Sequence, residues 1–539
     1  MAKSKADEKE KTLESWLWDA ACAIRGAQDA PKYKDFILPL VFVKRLCDVF
    51  DDEVNKMKEE VGSRKRALGL IDKDHKLVRF YLPIRANDVE NDDTWSVIKL
   101  LQAKEKESIG QQLTDIMRGI AKENARIQGI IDRIDYNATT HGQRDMDDDQ
   151  ISLLINRISE KRLGLKDVEP DILGRSYEYL IRKFAEGGGQ SAGEFYTPKE
   201  VGFVMARILD PEAGMEAYDP NCGSAGLLIK MELVLEEKME MRSKTKYAPL
   251  KLYGQEYTSA TWAMANMNMV IHEMEGEIAI GNTMTKPDRF DFKGKGLKAF
   301  DLVTANPMWN QKSFVQDIYE NDELNRFANR FPDNAVVPFP PSDSADWAWA
   351  QHILSSMKPN GRAAIVLDTG AVSRGSGSKS KDREKVIRQW FVEEDLIEGV
   401  LYLPENLFYN TSAPGIVLFL NKNKPKQLKE KFILINASRD FTKGDPKNYL
   451  SDEAIEKIVN TYKELFAEGK GKAEKFAMIA TKAEIEKNDY NISPSRYIHT
   501  ADATEHRGIA ELVDELKNLN NSAKDIDREL KTVLEKIGY

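Results

Sequence analysis

The sequence predicts an α/β protein with an all-helical region at its N-terminus, a central sheet domain and one helix at its C-terminus. Three observations carry that expectation. Apolar residues recur at helical spacing in 13–24, 36–49, 109–120 and 151–158, as in helices that bury one face. From about 193 to 424 the pattern changes to short apolar runs, at 216–219, 251–254, 277–280, 300–305, 362–367, 397–401 and 416–420, with helix-like 225–239 and 260–274 among the first of them. Strands alternating with helices of that length specify layers around a mostly parallel sheet. Finally, 509–537 repeats apolar residues at alternating spacings of three and four, the seam of a coiled coil. The expected division is therefore 1–165, 166–500 and 501–539.

Within the first region, Asp29-Ala-Pro31 should break the first helical pair, because proline steers the residue before it away from helix. The polar stretches 90–93 and 145–149 read as solvated loops. Beyond 425 one strand-like run, 432–435, stands out. Hydrophobic residues make up 41% of the 539 residues and charged residues 31%, a globular composition. No apolar run approaches the ~20 residues of a membrane span, and residues 1–11 lack the apolar stretch of a secretory signal. Three cysteines in so long a chain cannot form a disulfide framework, which points to a reducing cytoplasm. The net charge is -9, so phosphate contacts must come from a local basic patch or a partner subunit.

Parallel sheets bind ligands beyond the carboxyl ends of their strands, and three loops there carry chemistry. Asp219-Pro-Asn-Cys-Gly-Ser-Ala-Gly226 follows a strand-like run and opens a helix. Its glycines let backbone approach a ligand, and the helix start offers unpaired N–H groups. Gly254-Gln-Glu256 ends the next strand, where a carboxylate can accept from two ribose hydroxyls. Asp301-Leu-Val-Thr-Ala-Asn-Pro-Met-Trp309 ends a buried strand in an amide, a main-chain carbonyl and an aromatic ring. Two acceptors beside a ring suit a planar NH2 group on a stacked base. Each loop alone is also an ordinary strand-end turn. No P-loop pattern is present. The six histidines are scattered, so no metal site is expected. Cys222 reads as a small residue in a tight turn rather than a nucleophile.

Together these motifs resemble one family. Gly193-Glu-Phe-Tyr-Thr-Pro198, Asp219–Gly226, Gly254-Gln-Glu256, Gly281-Asn-Thr283 and Asn306-Pro-Met-Trp309 follow the order of the DNA adenine-N6 methyltransferases. More narrowly, the chain resembles the modification subunits of type I restriction–modification systems. Leu17-Trp-Asp-Ala-Ala21, Arg25-Gly26 and Tyr33-Lys-Asp-Phe-Ile-Leu-Pro-Leu40 resemble that family's helical N-terminal domain, and Tyr490-Asn-Ile-Ser-Pro-Ser-Arg-Tyr497 the stretch after its catalytic domain.

The resemblance implies a Rossmann-like S-adenosylmethionine-dependent methyltransferase fold. It assigns the cofactor to Glu194, Phe195, Tyr196, Thr197, Pro198 and Lys199, and to the turn containing Asp219, Gly223, Ser224, Ala225 and Gly226. Glu256 would hold the ribose hydroxyls, and Asn282 stands where the family usually has an aspartate near the cofactor adenine. Asn306 and the Pro307 carbonyl would hold the target N6 amine while Trp309 stacks on the flipped adenine. Met308 departs from the family's Asn-Pro-Pro-aromatic pattern, and removes the restriction a second proline imposes on residue 307.

The implied partners are DNA, a DNA-specificity subunit served by two modification subunits, and a restriction/translocase subunit, with no membrane. Competing readings are a protein glutamine methyltransferase, and a cofactor-binding scaffold whose catalytic loop has decayed. Arg374, Lys379, Lys381, Arg383, Lys385 and Arg388 lie in a glycine- and serine-bearing stretch that reads either as a DNA contact or as a solvated loop. Ile509, Leu512, Leu516, Leu519, Ala523, Ile526, Leu530, Val533 and Ile537 form the seam. It would either join the helical spacers of the specificity subunit or pack back on this chain.

Overall fold

A computed structural model describes residues 13–23, 34–104, 107–168, 179, 197–244, 246–272, 274–288, 296–309, 311–312, 314–378, 382–408, 411–444 and 447–500, with helical positions scattered between 515 and 530. The N-terminal region is mainly helical: α1 (Leu13–Ala23), α2 (Lys34–Val61), α3 (Arg64–Ile71), α4 (Ile109–Glu123) and α5 (Asp148–Ile158), with one small hairpin at 139–144. Ile37, Val43, Leu113, Ile131 and Leu154 are fully buried in their common core. α2 outruns its apolar pattern and continues through a charged stretch of good helix formers. The expected break at 29–31 lies outside the described residues. The expected loop at 145–149 ends early, because Asp147 and Gln150 form a capping box. That box places Asp148 and Asp149 in the first turn of α5, where carboxylates meet the positive end of the helix dipole.

Among the described residues, the central sheet has ten strands: β1 (Glu216–Asp219), β2 (Lys251–Glu256), β3 (Gly276–Ile280), β4 (Phe300–Ala305), β5 (Met357–Asp368), β6 (Ile397–Tyr402), β7 (Gly415–Asn421), β8 (Lys431–Asn436), β9 (Lys472–Ala473) and β10 (Ala477–Thr481). Their order across the sheet is β3-β2-β1-β4-β5-β7-β6-β8-β10-β9. β3, β2, β1, β4 and β5 are parallel neighbours, and β7 runs antiparallel between β5 and β6. The α/β expectation is borne out, with antiparallel strands added beyond β5.

Alternation along each strand fills two faces. Val417 and Phe419 join one core with Leu252 and Ile433, while Ile416 and Leu418 join the other with Val303 and Ile365. The first face carries α6 (Lys199–Leu209), α7 (Gly226–Met241) and α11 (Asp452–Glu468); the second carries α9 (Asp346–Ser355) and α10 (Arg383–Glu393). The chain leaves β1 toward β2 on one side and returns to β4 on the other. That reversal is the switch point where doubly wound sheets open a crevice.

Between β2 and β3 runs α8 (Ser259–Ile271), which serves two cores. Met264, Met267 and Val270 pack among the N-terminal helices, whereas Ala265 and Met269 face the sheet. Arg126 of the N-terminal region also donates to the Met274 carbonyl at 2.7 Å. The C-terminal seam is different. Leu516, Leu519, Ile526 and Leu530 are 54–64% exposed, so at these positions it does not pack on its own chain. Ile509, Leu512, Val533 and Ile537 lie outside the described residues.

Candidate active site

The turn after β1 is built by backbone constraints. Gly223 and Ala225 both adopt left-handed φ, +53° and +64°. The Asn221 N–H donates to Asp219 Oδ1 at 3.1 Å, and the Cys222 N–H donates to the Gln255 carbonyl at 3.0 Å. A side chain on Gly254 would stand 2.8 Å from Cys222 Sγ, so that glycine lets the turn lie against β2. Burial pushes the Cys222 thiol well up; it is a packing group and not a thiolate.

Glu256, at the end of β2, ties this turn to α8. Its Oε2 accepts from the Gly223 N–H at 3.1 Å and its Oε1 from the Thr258 N–H at 3.0 Å. A carboxylate at a strand end is an acceptor of the kind that ribose hydroxyls need. Asp219 behind it is buried, and its carboxyl is pushed up to about 8 chiefly by burial, with the neighbouring Glu256 charge adding to the effect. Near neutral pH Asp219 is thus largely protonated. Asn221 Oδ1 is buried with no hydrogen-bond partner among the described residues.

Asn282 follows β3, and its Oδ1 accepts from the N–H groups of Met284 at 3.0 Å and Thr285 at 3.4 Å. The acceptor is engaged in the loop's own turn, which leaves the amide NH2 as the group to offer a ligand. Thr283 Oγ1 donates to the Pro220 carbonyl, and Arg326 donates to the carbonyls of Thr283 and Met284. The loops after β1 and β3 are therefore held together.

At the end of β4, Asn306 is 6% exposed, and its Nδ2 donates to Thr197 Oγ1 at 2.9 Å. Its Oδ1 is buried and has no partner among the described residues. Pro307 is buried, Met308 half-buried and Trp309 buried. The Trp309 ring meets Phe408 edge-on at 4.6 Å, and a side chain on Gly415 would collide with it at 2.6 Å. Sequence reasoning missed Phe408 and Gly415, although Leu407-Phe408 stood just before a recognised strand. Thr197 and Pro198 are buried and Lys199 opens α6 exposed; Ser224 offers its carbonyl to Asn268 Nδ2 at 2.9 Å, and Gly226 begins α7. Glu194, Phe195 and Tyr196 lie outside the described residues.

The basic stretch is corrected in part. Arg374 pairs with Asp346, Asp368 and Glu384. Arg388 is fully buried and donates to the carbonyls of Ala371, Arg374 and Tyr490. Lys385 pairs with Asp489 at 2.5 Å. These cations are spent on holding the fold, so they are not available to phosphates. Arg383 is exposed, whereas Lys379 and Lys381 lie outside the described residues.

Comparison with known proteins bears on all of this. The N-6 DNA Methylase family model matches residues 168–506, and the HsdM N-terminal domain model matches residues 13–158. The MjaVIII type I restriction enzyme methylase subunit of Methanocaldococcus jannaschii is 37% identical over 392 residues, 71% of this chain and 62% of that relative. That alignment spans less than two thirds of the relative's length. The MjaVII methylase subunit from the same organism is 31% identical over 497 residues, 91% of this chain and 79% of the relative. The crystal structure of a type I restriction–modification methyltransferase subunit from Streptococcus thermophilus matches at TM-score 0.68 and 27% identity, covering 90% of this chain and 98% of that one. The chain belongs to the N-6 DNA methylase family, the DNA adenine-N6 methyltransferases, and within it to the methylase subunits of type I restriction–modification systems.

Proposed function

We propose that the chain transfers the methyl group of S-adenosylmethionine to adenine N6 within a specific DNA sequence, as the catalytic subunit of a complex with specificity and restriction/translocase subunits. The observation that carries this reading is the buried Oδ1 of Asn306, without a partner among the described residues, beside an amide NH2 already engaged by Thr197. A buried acceptor without a donor is costly, and an exocyclic amine supplies the missing donor.

The lone pair of that amine is delocalised into the adenine ring, which makes it a poor nucleophile. Asn306 Oδ1 and the Pro307 carbonyl accept its two N–H bonds, favouring a pyramidal nitrogen with its lone pair directed at the methyl. Trp309 offers the ring against which the base stacks, and Phe408 and Gly415 fix the orientation of that ring. S-adenosylmethionine, when bound, supplies the electrophilic methyl. The chain's part is positioning and electrostatics, without a covalent nucleophile. Reaching the base requires extruding it from the duplex, at a few kcal/mol.

The residues at the carboxyl ends of β1 and β2 fit the cofactor. Glu256 would hold the ribose hydroxyls, Asn221 Oδ1, a buried acceptor with no partner among the described residues, would take an ammonium group, and the left-handed turn at Gly223 to Ala225 would bring backbone close. Asn282 contributes an amide donor beside the adenine. Glu256→Ala is expected to weaken S-adenosylmethionine binding by roughly 1–3 kcal/mol through lost charged hydrogen bonds; an unchanged affinity by calorimetry removes the ribose assignment. Met308→Pro is expected to leave turnover undiminished, since it restores the extended bias on residue 307. A large loss with the fold intact, measured by circular dichroism, means that this loop has a geometry of its own.

Sequence recognition is assigned to the specificity subunit, with two modification subunits to each, and the complex to the cytoplasm, where the host DNA lies. The relatives give no support to a protein-methylating enzyme or to a decayed scaffold. Sequencing host DNA for N6-methyladenine with and without this gene tests the reading. Unchanged methylation at every site rejects it.

A further inference from the structure

We propose that Thr197 is a positioning residue for Asn306, setting which end of the catalytic amide faces the target amine. The inference rests on the adenine-N6 methyltransferase reading and deepens it.

An asparagine amide is nearly symmetric in shape, yet its ends are opposite in function: the oxygen accepts and the nitrogen donates. Turned the wrong way, Asn306 would point N–H at an amine that itself donates, and the grip would fail. Thr197 Oγ1 lies 2.9 Å from Asn306 Nδ2, both residues are less than 9% exposed, and Oδ1 is left without a partner among the described residues. A hydroxyl can accept only while its own proton is directed elsewhere. Thr197 therefore holds the amide correctly when its own proton is directed away from Asn306. The contact links residues 109 positions apart in sequence, joining the segment that leads into α6 to the end of β4.

Two variants read this directly. Thr197→Val keeps the shape and burial but removes the acceptor, and Thr197→Ser keeps the hydroxyl. The full-length chain is assayed with its specificity subunit by single-turnover methylation, with cofactor affinity measured separately by calorimetry. Thr197→Val is expected to slow transfer about tenfold, and Thr197→Ser to restore most of it. The same pair is then made in an Asn306→Asp background, where a carboxylate presents oxygen whichever way it turns. There Thr197→Val should cost no more than about twofold.

Equal losses in both backgrounds, no rescue by serine, or a fall in cofactor affinity as large as the fall in rate each overturn the positioning role. The methyltransferase reading has its own control in Asn306→Ala. If that variant is inactive while Thr197→Val is fully active, only the present inference fails. If both remain active, the catalytic assignment fails with it.

Discussion

Asn306→Ala is expected to lower methyl transfer by roughly a hundredfold to a thousandfold, with S-adenosylmethionine affinity nearly unchanged. The size follows from what the side chain does. A hydrogen bond made to charge or geometry that develops only in the transition state affects the chemical step, whereas one made equally in the ground state affects binding alone. Oδ1 has no partner among the described residues, so the substitution removes an acceptor assigned to the substrate without stranding a donor elsewhere. Thr197 loses a neighbour that gave it one proton, but a hydroxyl can find a water in the space left. The fold should therefore persist, as a thermal melt will report. Single-turnover transfer and calorimetric cofactor binding are the paired measurements. Retained methylation, or a loss of cofactor affinity of similar size, reassigns the site.

The second large effect concerns assembly. A chain ending at Asp502 is expected to remain folded and to bind S-adenosylmethionine, yet to fail to co-purify with the specificity subunit. Leu516, Leu519, Ile526 and Leu530 stand more than half exposed on one heptad seam. Burying a leucine or isoleucine contributes about 1.5–3 kcal/mol each, so four of them amount to most of a stable association. The alternative, packing on the parent domain, finds no support at these positions. A truncated chain that still assembles and methylates specific sites would show that docking lies elsewhere.

Much of the fold could be read in advance because its central strands are buried on both faces and short. β1 and β4 run over the residues that the apolar runs marked, and β2, β5 and β7 extend past the ends of theirs. Other elements were hidden for physical reasons. In α9 every residue from Asp346 to Leu354 is buried, so no polar face remains to mark a helical period. In β10, Ala477 and Ala480 fill core positions, and alanine is a weak strand signal. The site loops were legible from their motifs, whereas the contacts between them were not. Nothing near residue 306 announces Thr197, and nothing near residue 309 announces Gly415. Arg374 and Arg388 misled for the same reason: a cation among glycines and serines looks solvated until the distant carboxylates and carbonyls that receive it are known.

Helix α8 has a consequence for how the molecule comes apart. Its Met264, Met267 and Val270 belong to the N-terminal core, its Ala265 and Met269 to the sheet, and its first turn is fastened to Glu256 through Thr258. Neither region can be stripped away without laying bare half of this helix, so the two are coupled as one cooperative unit rather than hung on a linker. Stabilisation gained by a ligand bound at Glu256 is accordingly shared: a ligand that touches none of the N-terminal helices still raises the work needed to open them.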